Sequence, residues 1–316
     1  MIKGENKMID PYEIEYSENY APATGAVVFA SVYSQDGKNK EALDDCIKMV
    51  RRSVVLLKQR EEVSPFCRVF LIHYSLMALS ILPRNVQEVY RAEFGEFFAS
   101  YKDDCPQINT NCAALQWSIE IFLEALGYRE ANLEYTKYLL EFIGKAQLAN
   151  GFINDAINHQ GLSEDGMPIA YHAFTLFILL GPIVCVDQWS PQFNQQRDQL
   201  DLIMEKGLRW LSHTISLDGT FAMMQRSRYQ MFTWGAILSL SSYANWDTSG
   251  LLTKMMNHWL QHKQPDGSYS CTPNYFAHEL RTGFETYTHV NMYNTLGMVG
   301  LAVTQKILAQ GNKQKF

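Results

Sequence analysis

The stretch Ile169–Val186, IAYHAFTLFILLGPIVCV, decides the fold. It carries no charged residue, and its apolar side chains fall on every side of a helical wheel. A helix apolar all round is one that other elements bury on all sides. With His172 and Pro182 inside it and a length of 18 residues, the stretch is marginal for a membrane span, and a buried helix accounts for it. Cys67–Leu82, Asn109–Leu126, Arg228–Tyr243 and Tyr287–Val303 are likewise strongly apolar and aromatic. Between them lie amphipathic, charged stretches: Glu41–Arg60, Val86–Tyr101, Asn132–Lys145, Gln195–Leu211 and Leu251–Gln261.

Apolar spacing of period 3.6 predicts helices over roughly 22–33, 39–59, 66–82, 86–101, 109–126, 129–147, 168–185, 195–215, 228–244, 249–263 and 286–309. Strand-like alternation is scarce. Asp36-Gly37, Pro83, Pro106, Gly127, Asn150-Gly151, Asp165-Gly166, Asp218-Gly219 and Asp266-Gly267 punctuate the helices. Buried and amphipathic helices therefore alternate, with buried ones starting near 22, 66, 109, 169, 228 and 287. The last four starts are about 59 residues apart. Six inner helices, each followed by an outer one, make an all-α, (α/α)6 toroid over residues 21–316, behind an N-terminal extension of residues 1–20. The sixth outer helix has little room, so an incomplete barrel or an irregular helical bundle is the alternative.

The 316 residues are 47% hydrophobic, 13% aromatic and 19% charged, which excludes a disordered chain. A net charge of −6 argues against a general nucleic-acid or anionic-membrane binder. An anionic partner then needs a local cluster of cations. The six cysteines, at 46, 67, 105, 112, 185 and 271, show no C-x-x-C spacing and read as buried free thiols. No metal and no cofactor is expected. Met1–Asp10 mixes charges of both signs without an apolar run, so no signal peptide is visible and a cytoplasmic location is expected, or an extracytoplasmic one if the start is trimmed.

In such a barrel the inner helices run parallel, so their positive N-terminal ends gather at one funnel, which suits carboxylate or sulfate groups. The loops that precede them, 102–108, 148–167, 216–227 and 264–285, are also the long ones. Before the third inner helix stand Asn109 and Asn111, which read as helix caps or as amide donors to a carboxylate. Before the fourth stand Asn154 and Asp155, then Tyr171 and His172 in its first turn. His172 reads as a satisfied core histidine or as a general base. Before the fifth, Arg226, Arg228 and Tyr229 meet an apolar helix. Buried arginines need an acid or a ligand, with Asp218, Glu279 and Glu285 as structural partners. Before the sixth, His278, Glu279, Arg281, Glu285, Tyr287 and His289 crowd together. Trp117, Trp234, Trp246 and Trp259 read as core, with sugar stacking as the alternative near the funnel.

With Tyr171-His172 and Gln225-Arg226-Ser227-Arg228-Tyr229-Gln230 on a helical repeat, the chain resembles the toroid domains of heparinase II/III-type and alginate-type polysaccharide lyases. It is similar, too, to bacterial toroid proteins that carry a Gly-Arg-Ser-x-x-Tyr-Arg-like segment, with Gln225 in the place of the glycine. Phe284-Glu285-Thr286-Tyr287 is similar to a Glu-Ser-Tyr-like segment of that group. The resemblance implies an enzyme that cleaves an acidic, uronate-containing glycan by β-elimination. It implies that Asn111 neutralises the uronate carboxylate, His172 removes the proton, Tyr229 protonates the leaving oxygen and Arg228 binds carboxylate, with Glu285 in the catalytic group. Substrate contacts are then expected from Arg226, Arg228, Tyr171, Asn154, Asp155, His278, Arg281, Tyr287 and His289.

Three rivals share the scaffold. A glycoside hydrolase would use paired carboxylates, with Asp155, Asp165, Glu279 and Glu285 available. Gln264-Pro265-Asp266-Gly267-Ser268-Tyr269 resembles the Gln-x-x-Asp-Gly-Ser-Trp turn of terpenoid-cyclase and prenyltransferase toroids, although the Asp-x-Asp-Asp motif is absent. The third rival is a non-catalytic glycan-binding protein.

Overall fold

Short polar residues set where four of the helices begin. Asn39 caps α2 (Lys40–Lys58) by accepting the Ala42 N–H, and Ser64 caps α3 (Pro65–Ile81) by accepting the Cys67 N–H. Asn109 caps α5 (Thr110–Ala125) through Cys112, and Asn132 caps α6 (Leu133–Ala146) through Tyr135. This last cap starts α6 at Leu133 rather than near 129, because Gly127 has already turned the chain with φ 68°. The other helices are α1 (Ala21–Asp36), α4 (Arg84–Ser100), α7 (Ile169–Cys185), α8 (Asn194–Ser212), α9 (Met231–Tyr243), α10 (Leu251–Leu260) and α11 (Val290–Ala309). A two-stranded antiparallel ribbon, β1 (Ile2–Lys3) and β2 (Lys7–Met8), pairs Ile2 with Met8 and rests on α1. The computed structural model describes residues 2–3, 7–8, 20–59, 63–102, 109–155, 169–187, 189–220, 231–246, 250–263, 265 and 290–310.

The odd-numbered helices form a closed ring. α1 packs on α3, α3 on α5, α5 on α7, α7 on α9, α9 on α11, and α11 returns to α1. The ring closes in parallel register. Thr24, early in α1, hydrogen-bonds Thr295, early in α11, at 2.7 Å, and Gln35, late in α1, meets Gln305, late in α11, at 2.6 Å. Outside the ring, α2 packs on α1 and α3, α6 on α5, α8 on α7 and α10 on α9. α4 is tied to α2 by the Arg51–Glu93 ion pair at 2.6 Å. The fold is the all-α toroid: six inner and five outer helices among the described residues, with no sixth outer helix among them. Closure of the inner ring removes the irregular bundle as an alternative.

α7 shows how the ring tolerates its own sequence. Pro182 has no N–H to give the Ile178 carbonyl one turn back. The buried Ser118 hydroxyl of α5 donates to that carbonyl instead, at 3.1 Å, so the defect in one inner helix becomes a tie to its neighbour. At the α9–α11 seam the backbones themselves meet. A Cβ added to Gly235 would sit 2.4 Å from the Gly297 carbonyl oxygen, and one on Gly300 would sit 2.3 Å from the Gly235 carbonyl carbon. Gly235→Ala is therefore expected to destabilise the protein by about 1–3 kcal/mol through overpacking, read as a lower midpoint of chemical denaturation. An unchanged midpoint would mean that the two helices have room to part.

Cys46, Cys112 and Cys185 are buried free thiols, as the spacing implies, and Cys67 is half-buried; Cys105 and Cys271 lie outside the described residues. Among the described residues no helix is long and apolar enough to cross a membrane.

Candidate functional site

Of the two asparagines at the start of α5, only Asn109 is a cap, its Oδ1 accepting the Cys112 N–H at 2.9 Å. Asn111 is buried, and its carboxamide oxygen finds no hydrogen-bond partner among the described residues. His73 Nδ1 and Ser75 Oγ, in the body of α3, are likewise buried without a partner among the described residues, so what sets Asn111 apart is its place at this end of the ring beside Asp155. Beside it, Thr110 donates its hydroxyl to the Asn154 carbonyl at 3.1 Å and to the Asp155 carboxylate at 3.2 Å. The Asn111 N–H reaches the same Asp155 oxygen at 3.4 Å. Asp155 is half-buried. Its negative charge therefore lies on the N-terminal end of α5, where the helix dipole and unmade N–H groups favour it.

A small hairpin carries Asp155 there. The Leu148 N–H donates to the Phe152 carbonyl at 2.8 Å, and the Asn154 N–H to the Ala146 carbonyl at 3.1 Å. The tip is Asn150-Gly151. Gly151 has φ 97°, and a Cβ there would sit 2.2 Å from the Lys206 carbonyl oxygen of α8, so both the turn and the close approach require glycine. Gln147 ties the hairpin to α8, donating to the carbonyls of Gly151 at 3.0 Å and Ile203 at 2.9 Å.

His172 lies under this hairpin, fully enclosed. Its Nδ1 accepts the Ile153 N–H at 3.0 Å, which places the ring proton on Nε2, and Nε2 donates to the Gly207 carbonyl of α8 at 3.0 Å. The rings of Phe152 and Trp210 pack against it at 5.4 and 4.7 Å. Burial pushes its pKa down to about 4, against the opposing pull of the Gly207 carbonyl. The imidazole is neutral at pH 7, yet its one lone pair is already used. The general-base role implied by the resemblance does not fit this arrangement, whereas the reading as a satisfied core histidine does. Tyr171, one residue earlier, is partly exposed in the same first turn.

Asn111, Asn154 and Asp155 are thus brought together, with Tyr171 in the first turn of the next inner helix. Tyr229, Glu285, Arg226, Arg228, His278, Arg281, Tyr287 and His289 lie outside the described residues, as do Asp165 and Glu279. Asp218 is engaged by its own turn, where the hydroxyls of Ser216 and Thr220 and the Thr220 N–H hold its carboxyl well below the usual range. Trp117, Trp234 and Trp259 are core, and Trp246 packs against it. Sequence reasoning passed over Thr110, which joins Asp155 to α5, and the pair Gly207 and Trp210, which enclose His172. The signal for Thr110 was a hydroxyl residue one place past a helix cap, where capping itself does not need it.

A concavity of about 480 Å³ opens at the other end, where α3, α5 and α7 end, lined in part by Arg84, Glu88, Arg91, Glu124, Tyr128 and Asp187. There the carbonyls of Ser80 and Leu82 are taken by Gln87 and that of Gly127 by Arg91. Helix C-termini disfavour anions. The end bearing Asn111 and Asp155 is the candidate site. No group of three or more His, Cys, Asp or Glu side chains gathers as a metal site among the described residues.

The sequence matches no family model and no curated protein. Solved structures do match its fold. A glycosyl hydrolase of family 88 from Bacteroides vulgatus superposes with a TM-score of 0.59 at 9% identity, over 92% of this chain and 91% of its own. An inactive variant of the alpha-1,6-mannanase GH76A of Salegentibacter sp. HEL1_6, in complex with alpha-1,6-mannotriose, gives 0.58 at 10% identity, over 96% and 95%. A polysaccharide lyase gives 0.55 at 9% identity, over 94% and 92%. The chain therefore has the toroid fold found in carbohydrate-active enzymes.

Proposed function

We propose that the protein is a carbohydrate-active enzyme, a single toroid unit over residues 21–316, that cleaves a glycan bound where the inner-helix N-termini converge. The observation that carries this reading is the Asp155 carboxylate seated on the α5 N-terminus beside the buried Asn111 carboxamide, whose oxygen has no partner among the described residues. The likeness of fold to a glycosyl hydrolase, a mannanase and a polysaccharide lyase supports it. The chemistry favoured is hydrolysis. Asp155 acts as one carboxylate at the scissile bond, and Asp165, Glu279 or Glu285 supplies the second. The preferred substrate is acidic. Positive helix ends offset the Asp155 charge, and Arg226, Arg228 and Arg281, which the sequence puts before or at the starts of the fifth and sixth inner helices, are the cations that would hold a uronate carboxylate, a partner that the net charge of −6 does not otherwise favour.

β-Elimination is the second reading, in which the Asn111 carboxamide N–H would donate to the uronate carboxylate. Neutralising the uronate carboxylate acidifies the neighbouring C–H, and stabilising the enolate-like transition state is the main electrostatic demand of that chemistry. With His172 enclosed, Tyr229 would serve as both base and acid. The test is a panel of uronate and neutral polysaccharides with product analysis in isotopically labelled water. Hydrolysis is expected to give a saturated reducing end carrying the label, and elimination an unsaturated uronate absorbing in the ultraviolet without label. Failure to cleave or bind every glycan in the panel would overturn the enzyme reading.

A further inference from the structure

We propose that His172 is a positioning residue that holds the hairpin 147–155, and through it Asp155, in register with the α5 N-terminus. The inference rests on the reading of Asp155 as the catalytic carboxylate given above. The imidazole joins three elements at once. It belongs to α7, accepts a hydrogen bond from Ile153 of the hairpin and donates one to Gly207 of α8. Ile153 is two residues before Asp155, and the intervening Asn154 gives its carbonyl to Thr110 of α5. The strand that delivers the carboxylate is thus pinned from both sides, by His172 below and by Thr110 across the site.

The position also asks for a particular side chain. One atom must accept and another must donate, in a space closed by Phe152 and Trp210. A neutral imidazole does both. Glutamine, with an amide oxygen and an amide N–H, can imitate it. An apolar side chain of similar volume leaves the Ile153 N–H unpaired in the interior and takes from the Gly207 carbonyl, which also lies within the α8 hydrogen-bond ladder, its second donor. Gly207 takes part through its lack of a side chain: a Cβ there would sit 2.7 Å from Leu176 Cδ2, so α8 comes close enough to α7 for its carbonyl to meet the ring.

The test compares His172→Gln with His172→Leu in the full chain. Amide hydrogen exchange needs no substrate. In His172→Leu, the Ile153 and Asn154 N–H groups should exchange at least about tenfold faster, while the amides of α3 and α5 keep their protection. On a glycan that the panel shows to be cleaved, kcat of His172→Leu should fall about 10²-fold with KM within about twofold, since a carboxylate displaced by about 1 Å loses its alignment and not the substrate. His172→Gln should recover most of both losses. Unchanged exchange in His172→Leu would overturn the proposal. So would a His172→Gln enzyme as inactive as His172→Leu with the acid limb of its pH–rate profile abolished, because proton transfer by the imidazole would explain that. Should His172→Leu not fold, Thr110→Val cuts the opposite tether with the histidine in place, and the same loss of kcat without loss of binding is expected; its absence would count against the pinned hairpin. If Asp155→Asn keeps full turnover, the reading of the site fails, while the exchange result still reports on the hairpin alone.

Discussion

Asp155→Asn is expected to lower kcat on a cleaved glycan by about 10²–10⁴-fold, the range that loss of an acid–base group gives, and to move Tm by no more than about 3 °C. The contrast follows from what the carboxylate touches. Its Oδ1 accepts the Thr110 hydroxyl at 3.2 Å and the Asn111 N–H at 3.4 Å. An asparagine oxygen can accept both, so the shape of the site and the hairpin's hold on α5 survive. What disappears is the negative charge on the helix end, worth about 0.3–1 kcal/mol to stability, and the ability to take or share a proton, which the chemistry requires. Thermal unfolding and steady-state kinetics on the same preparations separate the two effects. An asparagine enzyme with unimpaired kcat would remove Asp155 from the chemistry and leave it as a helix-capping carboxylate.

The second large effect is on stability in acid. His172 and His73 are both enclosed, and burial lowers their pKa values from 6.5 to about 4 and about 3. Each therefore binds a proton more weakly in the folded protein than in the unfolded chain. The sign is that of a depressed group. Their contribution is fully present above pH 6.5 and is lost as the pH falls from there through 4 and 3, because the unfolded chain gains protons that the folded one refuses. For His172 alone the loss amounts to roughly 3 kcal/mol across the window. Denaturation midpoints should be level near neutral pH and fall steeply across that window, and His172→Gln should flatten part of the fall. A level midpoint across the whole window would contradict the enclosure of the two rings.

The ring of helices was open to reading because its cause is local. Ile169–Val186 is apolar on all sides and Asn109–Leu126 is predominantly apolar and aromatic, and a position inside other helices satisfies that pattern. The helix starts at Asn39, Ser64, Asn109 and Asn132 likewise depend on residues within one turn. The site was less open. Successive helical residues point about 100° apart, so Tyr171 and His172 cannot share a surroundings, but which of them turns inward depends on Gly207 and Trp210, some 35 residues on. In the same way, Asp155 and Thr110 are 45 residues apart. Their meeting depends on how the hairpin beds against α8, which no local pattern encodes. Asn109 and Asn111 look alike in the sequence, yet one turns back to cap its helix and the other is buried with its oxygen unmade.

Closure of the ring also bears on how the chain reaches its native state. Thr24 and Thr295 touch across 271 residues, whereas the contacts that join α5 to α7 span about 60. Loop-closure entropy grows slowly with length, by about 0.6 kcal/mol per doubling, but topologies dominated by distant contacts fold slowly because that entropy is spent before the contacts reward it. α1 therefore keeps one flank unpartnered during synthesis until α11 has been made. The α9–α11 glycine seam, between neighbouring parts of the chain, can form ahead of it. The docking of α11 against α1 is expected among the late steps of refolding, and until then the partly built ring exposes the apolar sides of its first helix to other chains.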